Sequence, residues 1–432
     1  MLDILFGALK TIEQVFLSVW WAIVPLALFF IFRDFWLFYV RTKFVDKIKW
    51  KLFEIKVPKE ILKSAKSMEQ IFAGMYSMYS YGINDFLPKY VDGKVDSWSS
   101  WEMVGYAGGV YFYVYAPADK QSLVETVVYA QYPEAEISEV EDYTNILPSV
   151  LPSETYDVWG MELALAKENY LPIKTYPFFE SDIEEKTIDP IAAISEAMSK
   201  LKEGETIWIQ ILISPTGAVT GNNWKKEGEE KIDEIVGRGK KGKEKGWFYE
   251  VNLFARNLIL APTEYPIWNG EKKSEEKTKI LSPDEQELVK AIYGKISKQG
   301  FETIIRFVYI DRRDSFTAAN IAAVNGSFHQ FNTQNFNAFK PNYMITIFDS
   351  YLARLISRYK QFRVNYKKRR IFDYYKQRRF GRYNKTREEK FSVFNIEELA
   401  TIYHFPAAPV KAPRLRQVEA KKGGPPAGLP IE

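Results

Sequence analysis

Few residues in this chain are of a type that does bond chemistry. There is no cysteine among the 432 residues, and the only histidines are His329 and His404. Disulfides, thiolate metal sites and cysteine nucleophiles are therefore excluded, and a histidine dyad or histidine-rich zinc site is not expected from two histidines 75 positions apart. The acid pairs Glu184-Glu185, Glu275-Glu276 and Glu388-Glu389 lie in charged, loop-like surroundings. Nothing in the pattern sets two carboxylates across a cleft. No G-x-S-x-G or H-E-x-x-H occurs. Gly237 to Lys243 has the glycine spacing of a phosphate loop, but Glu244 follows where the loop chemistry needs Ser or Thr to reach a magnesium ion. Asp311-Arg312-Arg313-Asp314 is the best candidate for a charge cluster, read here as a turn with Asp314 or Ser315 capping a helix. No catalytic residue, cofactor or metal is expected, and the chain reads as a non-enzyme.

What remains is charge and hydrophobicity, strongly polarised along the chain. Residues 354–390 hold 15 Lys and Arg against 3 acids, a balance of +12; the whole chain is +4, so all the rest sums to −8. Arg363, Lys367, Lys368, Arg369, Arg370, Arg378, Arg379 and Arg382 are the candidate ligands for phosphate or an acidic partner, with tyrosines between them. Three uses compete: a nucleic-acid tether with tyrosines stacking on unpaired bases, a helix lying on anionic lipid, or a solvated helical linker packed by a narrow apolar seam.

At the other end, the 18 residues from Val15 to Phe32 carry no formal charge. As a helix they span about 27 Å, near the ~30 Å of a hydrocarbon core. Trp20 and Trp21 lie toward one end and Trp36 and Tyr39 beyond the other; Pro25 kinks the span without forbidding it. Arg33 and Asp34 sit at headgroup level or pair with each other. Arg33, Arg41, Lys43, Lys47, Lys49 and Lys51 follow the span, against Lys10 before it. The positive-inside rule then predicts a single-pass plasma-membrane protein with its bulk in the cytoplasm.

Between these ends the fold class expected is α+β. Residues 1–50 are the anchor and its basic flank, and 51–97 a helical connector. Residues 101–106 and 110–115 flank a two-glycine hairpin signal. From 110 to 213 the order is strand, helix, strand, strand, helix, strand, that of a ferredoxin-like sandwich, giving a domain at 98–216. Asp189 and Pro190 are expected to open its second helix. Residues 217–246 read as a charged linker. A second α/β unit is expected at 247–349, with Ser282 and Glu285 as a capping box and residues 247–260 either strand or helix. A basic helix covers 350–390. In the tail, 391–432, Asn395 caps a short helix before a Pro-rich extension.

Several collinear segments carry a resemblance: Ser67-Met68-Glu69-Gln70 within 61–72, then VETVVYAQYPEAEI at 124–137, IWIQILISP at 207–215, residues 301–317, FNIEELATIYHFP at 394–406 and RQVEAKKGGPPAGLP at 416–430. Together they resemble the membrane-anchored N-terminal region found beside or fused to conjugative, type IV secretion-like DNA-pumping ATPases of candidate-phyla bacteria and archaea. In that family a segment like 394–430 commonly precedes a RecA-like motor. No Walker A occurs here, so the resemblance implies a motor encoded separately or continuing this chain, and ATPase activity does not carry over. It implies a component that docks or organises such a P-loop ATPase within an oligomeric assembly, with Glu397, Leu399, Tyr403 and Phe405 as docking residues and DNA as a further partner. The alternative is a membrane-tethered nucleic-acid-binding protein without a motor.

Overall fold

The computed structural model describes residues 2–58, 63–80, 85–107, 109–179, 189–216, 223–238, 281–344, 357–378, 380 and 391–406. Residues 247–260, most of the acidic stretch 177–188, Arg379, Arg382 and the Pro-rich extension fall outside them.

The chain opens with one helix, α1 (Leu2–Val45), which contains Pro25. Its segment Trp20–Val45 is long and apolar enough to cross a membrane. The apolar segment thus runs on past Phe32, and Arg33 and Asp34 pair at 2.8 Å within the helix instead of ending it. From Trp20 to Tyr39 the side chains are almost all exposed, and Val40 is buried.

The elements that follow are β1 (Trp50–Lys56), α2 (Lys66–Met75), α3 (Phe86–Tyr90), β2 (Ser99–Tyr106), β3 (Gly109–Pro117), α4 (Gln121–Gln131), β4 (Glu136–Glu139), β5 (Tyr156–Leu165), α5 (Ala192–Ser199), β6 (Thr206–Pro215), α6 (Trp224–Val236), α7 (Pro283–Ile296), β7 (Gly300–Arg312), α8 (Ala318–His329), β8 (Phe339–Met344), α9 (Ser357–Lys376), β9 (Ser392–Asn395) and α10 (Ile396–Ile402). All described strands join one antiparallel sheet in the order β4-β1-β3-β2-β6-β7-β5-β8, with β9 also on β7. The α+β class is what the sequence predicts.

The grouping of strands is not. β3 pairs with β1 and β2, while β5 pairs with β7 and β8, so the run 110–213 does not fold on itself. The stretch 51–97 is not a helical connector: β1 lies inside the sheet and α2 in the core. One half is therefore β1-α2-β2-β3-α4-β4 with sheet order β4-β1-β3-β2. The other is β5-α5-β6-β7-α8-β8 with order β8-β5-β7-β6. In each, two parallel strands joined by a helix hold an antiparallel strand between them. The halves meet where β2 pairs with β6, in register from Ser99 opposite Ile213 to Tyr106 opposite Thr206.

Strand alternation sends Trp101, Met103, Ile209, Ile211, Phe307 and Tyr309 to one face, under α2, α4, α5 and α8. The tail completes that layer. β9 takes the edge of β7 beyond β5, and α10 packs against α2. Leu399, Tyr403 and Phe405 are buried in this core, so these expected docking residues are used within the chain itself. The Tyr403 ring packs edge-on against Phe72, Trp101 and Phe112. The expected linker at 217–246 contains α6, whose buried Trp224 packs against Ile292 and Ile296 of α7. α7 keeps its predicted Ser282/Glu285 capping box, and α10 gains one from Asn395 and Glu398. α5 begins at Ala192 without Asp189 as its cap, and α8 is capped by Thr317, not Asp314 or Ser315.

If α10 is part of the core, Leu399→Ala should cost about 2–5 kcal/mol, whereas Tyr366→Ala, on an exposed face, should stay within about 0.5 kcal/mol. Equilibrium unfolding of the full chain in detergent measures both. Tyr403 makes a sharper case, because its hydroxyl is buried without a hydrogen-bond partner. Tyr403→Phe should leave stability unchanged or raise it by up to about 1 kcal/mol, since an unsatisfied polar group is removed and the ring kept.

Candidate functional site

The face of the sheet opposite those helices carries a row of polar side chains. Glu102 on β2 stands opposite Gln210 on β6, Gln210 opposite Arg306 on β7, and Arg306 opposite Glu162 on β5. The hydrogen bonds run along the row. Arg306 donates from Nε to Glu162 at 2.5 Å and from Nη1 to Gln210 at 3.1 Å. Gln210 donates to Glu102 at 3.1 Å. Glu102, Gln210 and Arg306 are buried. A buried row of this kind is tolerable only with its partners in place.

The partners come from α9. Its apolar side, Ile371, Phe372 and Tyr375, packs on Trp208, Val308 and Ile310. Gly160 lets it approach: a Cβ there would lie 3.2 Å from Ile371 Cγ1 and 2.8 Å from Val308 Cγ1. The last carbonyls of a helix lack intrahelical donors. Here Gln210 donates to the Tyr375 carbonyl at 3.1 Å and Arg306 to that of Tyr374 at 3.3 Å. Two residues past the helix, Arg378 adopts a left-handed conformation with φ of 45°. This is the position where helices often use glycine. The turn swings its guanidinium into the sheet. Nε and Nη2 reach the two Glu102 oxygens at 2.9 and 3.0 Å, Nη1 and Nη2 reach Asp142 at 2.5 and 3.2 Å, and the Tyr115 ring lies 4.3 Å away. Tyr143 donates to Glu102 at 2.8 Å and shares a 2.9 Å bond with Tyr375.

The electrostatics follow from burial. Burial opposes the charge on Arg378, but Glu102 and Asp142 outweigh it and raise its pKa further. Burial likewise opposes ionisation of Asp142, and Arg378 outweighs it, holding the carboxyl below its ordinary value. Burial, with Glu102 nearby, pushes the Tyr143 and Tyr375 hydroxyls well up. The cluster pins the end of α9 to the joint between the two halves. It has no nucleophile poised by a base, and among the described residues no three His, Asp or Glu side chains are grouped to hold a metal.

The basic run is thereby divided. Arg378 is buried and committed to carboxylates, so it is not a phosphate ligand. Lys368 pairs with Asp157 at 2.6 Å. Arg363, Arg369 and Arg370 face outward with Phe362 and Tyr366, and Arg370 donates to the Tyr374 hydroxyl at 2.6 Å. Lys367 is half-buried, its pKa lowered by burial and then by Arg363.

A second ionic set fastens the tail. Lys295 and Glu398, both fully buried, pair at 3.0 Å, and Glu398 also accepts from the Ile173 amide at 2.9 Å. Lys298 bridges Glu69 at 2.7 Å and Glu397 at 2.5 Å, so Glu397 too is engaged within the chain. The His404 ring lies between the Ala400 carbonyl at 2.8 Å and Asp189 at 2.9 Å. Asp311, in the cluster flagged from sequence, is buried and accepts from Tyr309, Ser315 and the Arg312 amide. Sequence reading missed Glu102, Asp142, Gln210 and Arg306 as a set. The one available signal was a charged or amide residue amid the apolar strands β2, β6 and β7, and none marked Asp142, which lies in the turn after β4.

Arg378→Met should cost about 3–5 kcal/mol, because it leaves Glu102 buried and uncompensated. Adding Glu102→Gln should recover part of the loss, as denaturant unfolding of single and double variants would show. Folding lowers the Asp142 pKa, so its stabilisation is complete above the ordinary value of 3.8 and fades as pH falls through the folded value. Asp142→Asn should therefore be less stable at neutral pH and show a flatter acid limb in thermal unfolding against pH.

No curated protein matches the chain. One family model does, over residues 49–417, from just before β1 to beyond the buried tail and leaving out α1. The polar row, the Arg378 cluster and the ionic set around α10 all lie inside that stretch, and the chain belongs to the family described as a domain of unknown function, DUF8128.

Proposed function

We propose that the protein is a membrane-anchored, non-catalytic scaffold that organises a type IV secretion-like translocation ATPase at the cytoplasmic face of the plasma membrane. In this reading α1 crosses the bilayer once, with the lysines and arginines after it inside. The two halves are ferredoxin-like units joined edge to edge. The observation that carries the reading is the outward face of α9, where Arg363, Arg369 and Arg370 stand on a helix whose other side is locked to the sheet. A rigidly held basic face suits an acidic partner surface, because little side-chain and backbone entropy is left to lose on docking. Residues 397–405 do not serve that docking, since the core uses them. Mild detergent extraction of the full chain should co-purify a P-loop ATPase, and reversing charge at Arg363, Arg369 and Arg370 should release it. Extraction that recovers no such partner overturns the reading.

A membrane-tethered nucleic-acid-binding protein without a motor is the second reading, favoured by exposed Phe362 and Tyr366 among those cations. It predicts single-stranded DNA binding that weakens steeply with salt. The log–log slope should shrink by roughly 0.7 for each phosphate contact removed. Replacing Arg363, Arg369 and Arg370 tests this without disturbing the buried Arg378. Binding that ignores salt removes the idea.

A further inference from the structure

Beside α1 lies a second apolar feature that the core does not use. In and just after α3, Phe86, Leu87 and Val91 are 71%, 63% and 58% exposed. Three large apolar side chains so close together and facing outward are uncommon on a soluble surface. They do not hang on a loose loop. Trp36 of α1 donates from its indole nitrogen to the Tyr90 carbonyl at 2.7 Å. Gly93 has φ of +65° and sits so close to Val40 that any Cβ would overlap the Val40 carbonyl. This segment is thus fixed against the last turns of α1, and a residue larger than glycine at 93 would part them.

The level along α1 matters. At 1.5 Å per residue, Trp36 lies about 6 Å and Val40 about 12 Å beyond Phe32. Headgroup regions occupy roughly 5–8 Å on each side of a ~30 Å hydrocarbon core. With the hydrocarbon core ending at Phe32, a turn clamped between Trp36 and Val40 therefore spans the headgroup layer and its outer edge. Exposed Trp36 and Tyr39 stand at the same level, as interfacial aromatics do. Lys89 is set among the apolar residues, over the Tyr90 ring at 5.4 Å, and Lys94 follows.

We propose that this Phe86–Val91 turn is a second membrane contact, lowering Phe86, Leu87 and Val91 into the boundary between headgroups and acyl chains while Lys89 meets anionic headgroups. The proposal rests on the reading that α1 spans the membrane. Lipid is the occupant because the patch is continuous with the exposed side of α1 and mixes apolar side chains with a cation, the pattern of interfacial segments. Two attachment points, one spanning and one lateral, fix the tilt of the sheet on the bilayer and so the direction in which α9 faces.

The lack of cysteine makes the test direct. Full-length single-cysteine variants Phe29→Cys, Leu87→Cys and Tyr293→Cys, each at an exposed position, are spin-labelled. They are reconstituted one copy per nanodisc of phosphatidylcholine and phosphatidylglycerol, and collision with oxygen and with a water-soluble nickel chelate is measured. The expected result is a deep label at 29, an aqueous label at 293 and a label at 87 several-fold less accessible to nickel than that at 293. A deep label at 29 with 87 as accessible to nickel as 293 overturns the lateral contact and leaves the anchor standing. An aqueous label at 29 overturns the anchor and the proposal together. Protection at 87 that appears only when several copies share a nanodisc assigns the patch to a second copy and overturns the lipid contact.

Discussion

The structure depends on the pairing of β2 with β6. Each strand would otherwise be an open edge with unpaired amides and carbonyls, and edges of that kind pair with whatever strand they meet. Pairing them over eight residues joins the halves into one sheet. It has a different consequence on each face. On one, Trp101 and Met103 continue into Ile209 and Ile211, so the helices of both halves share a single core. On the other, Glu102 and Gln210 meet at the joint, and a polar pair buried there needs further partners.

Those partners explain where the basic helix goes. The unsatisfied carbonyls at the end of α9 accept from Gln210 and Arg306, and the turn after it delivers Arg378 to Glu102 and Asp142. Two deficits cancel: a row with spare donors and a buried acid meets a helix end with spare acceptors and a cation. The charge of the run then has two fates. Part is neutralised inside, and part is carried outward on a helix that cannot swing.

α9 packs on one face of the sheet and α10 on the other. Phe380 and Phe391 stack at 5.1 Å, near Trp98 and with Val45 from the end of α1 and Trp50 from the start of β1. Beyond Phe391, β9 and α10 close the helical face. The ion pairs around Lys295 and Lys298 favour this one seating of the tail, because a buried charge tolerates few other partners. The end of α1, the residues after the basic helix and the start of the tail thus meet in one apolar cluster.

What the sequence determined by itself was local. An uninterrupted apolar run marks the helix at 15–32, because hydrophobicity and length need no tertiary context. The capping residues Ser282 and Asn395 mark helix starts, because capping is a contact across three residues. The hairpin of β2 and β3, the strands β5 and β6 and the α+β class were legible from period and turn chemistry. Only the tertiary structure decided which strands pair. β1, short and lying before a long connection, inserts beside β3, and that insertion regroups every strand after it. Only it decided that a charged stretch hides α6 on a single buried Trp224, and that the expected docking tail is core. Arg378 makes the reason plain. In sequence it is one cation in a run of fifteen. Its partner Glu102 is 276 residues away, and a long-range pairing leaves no trace in spacing.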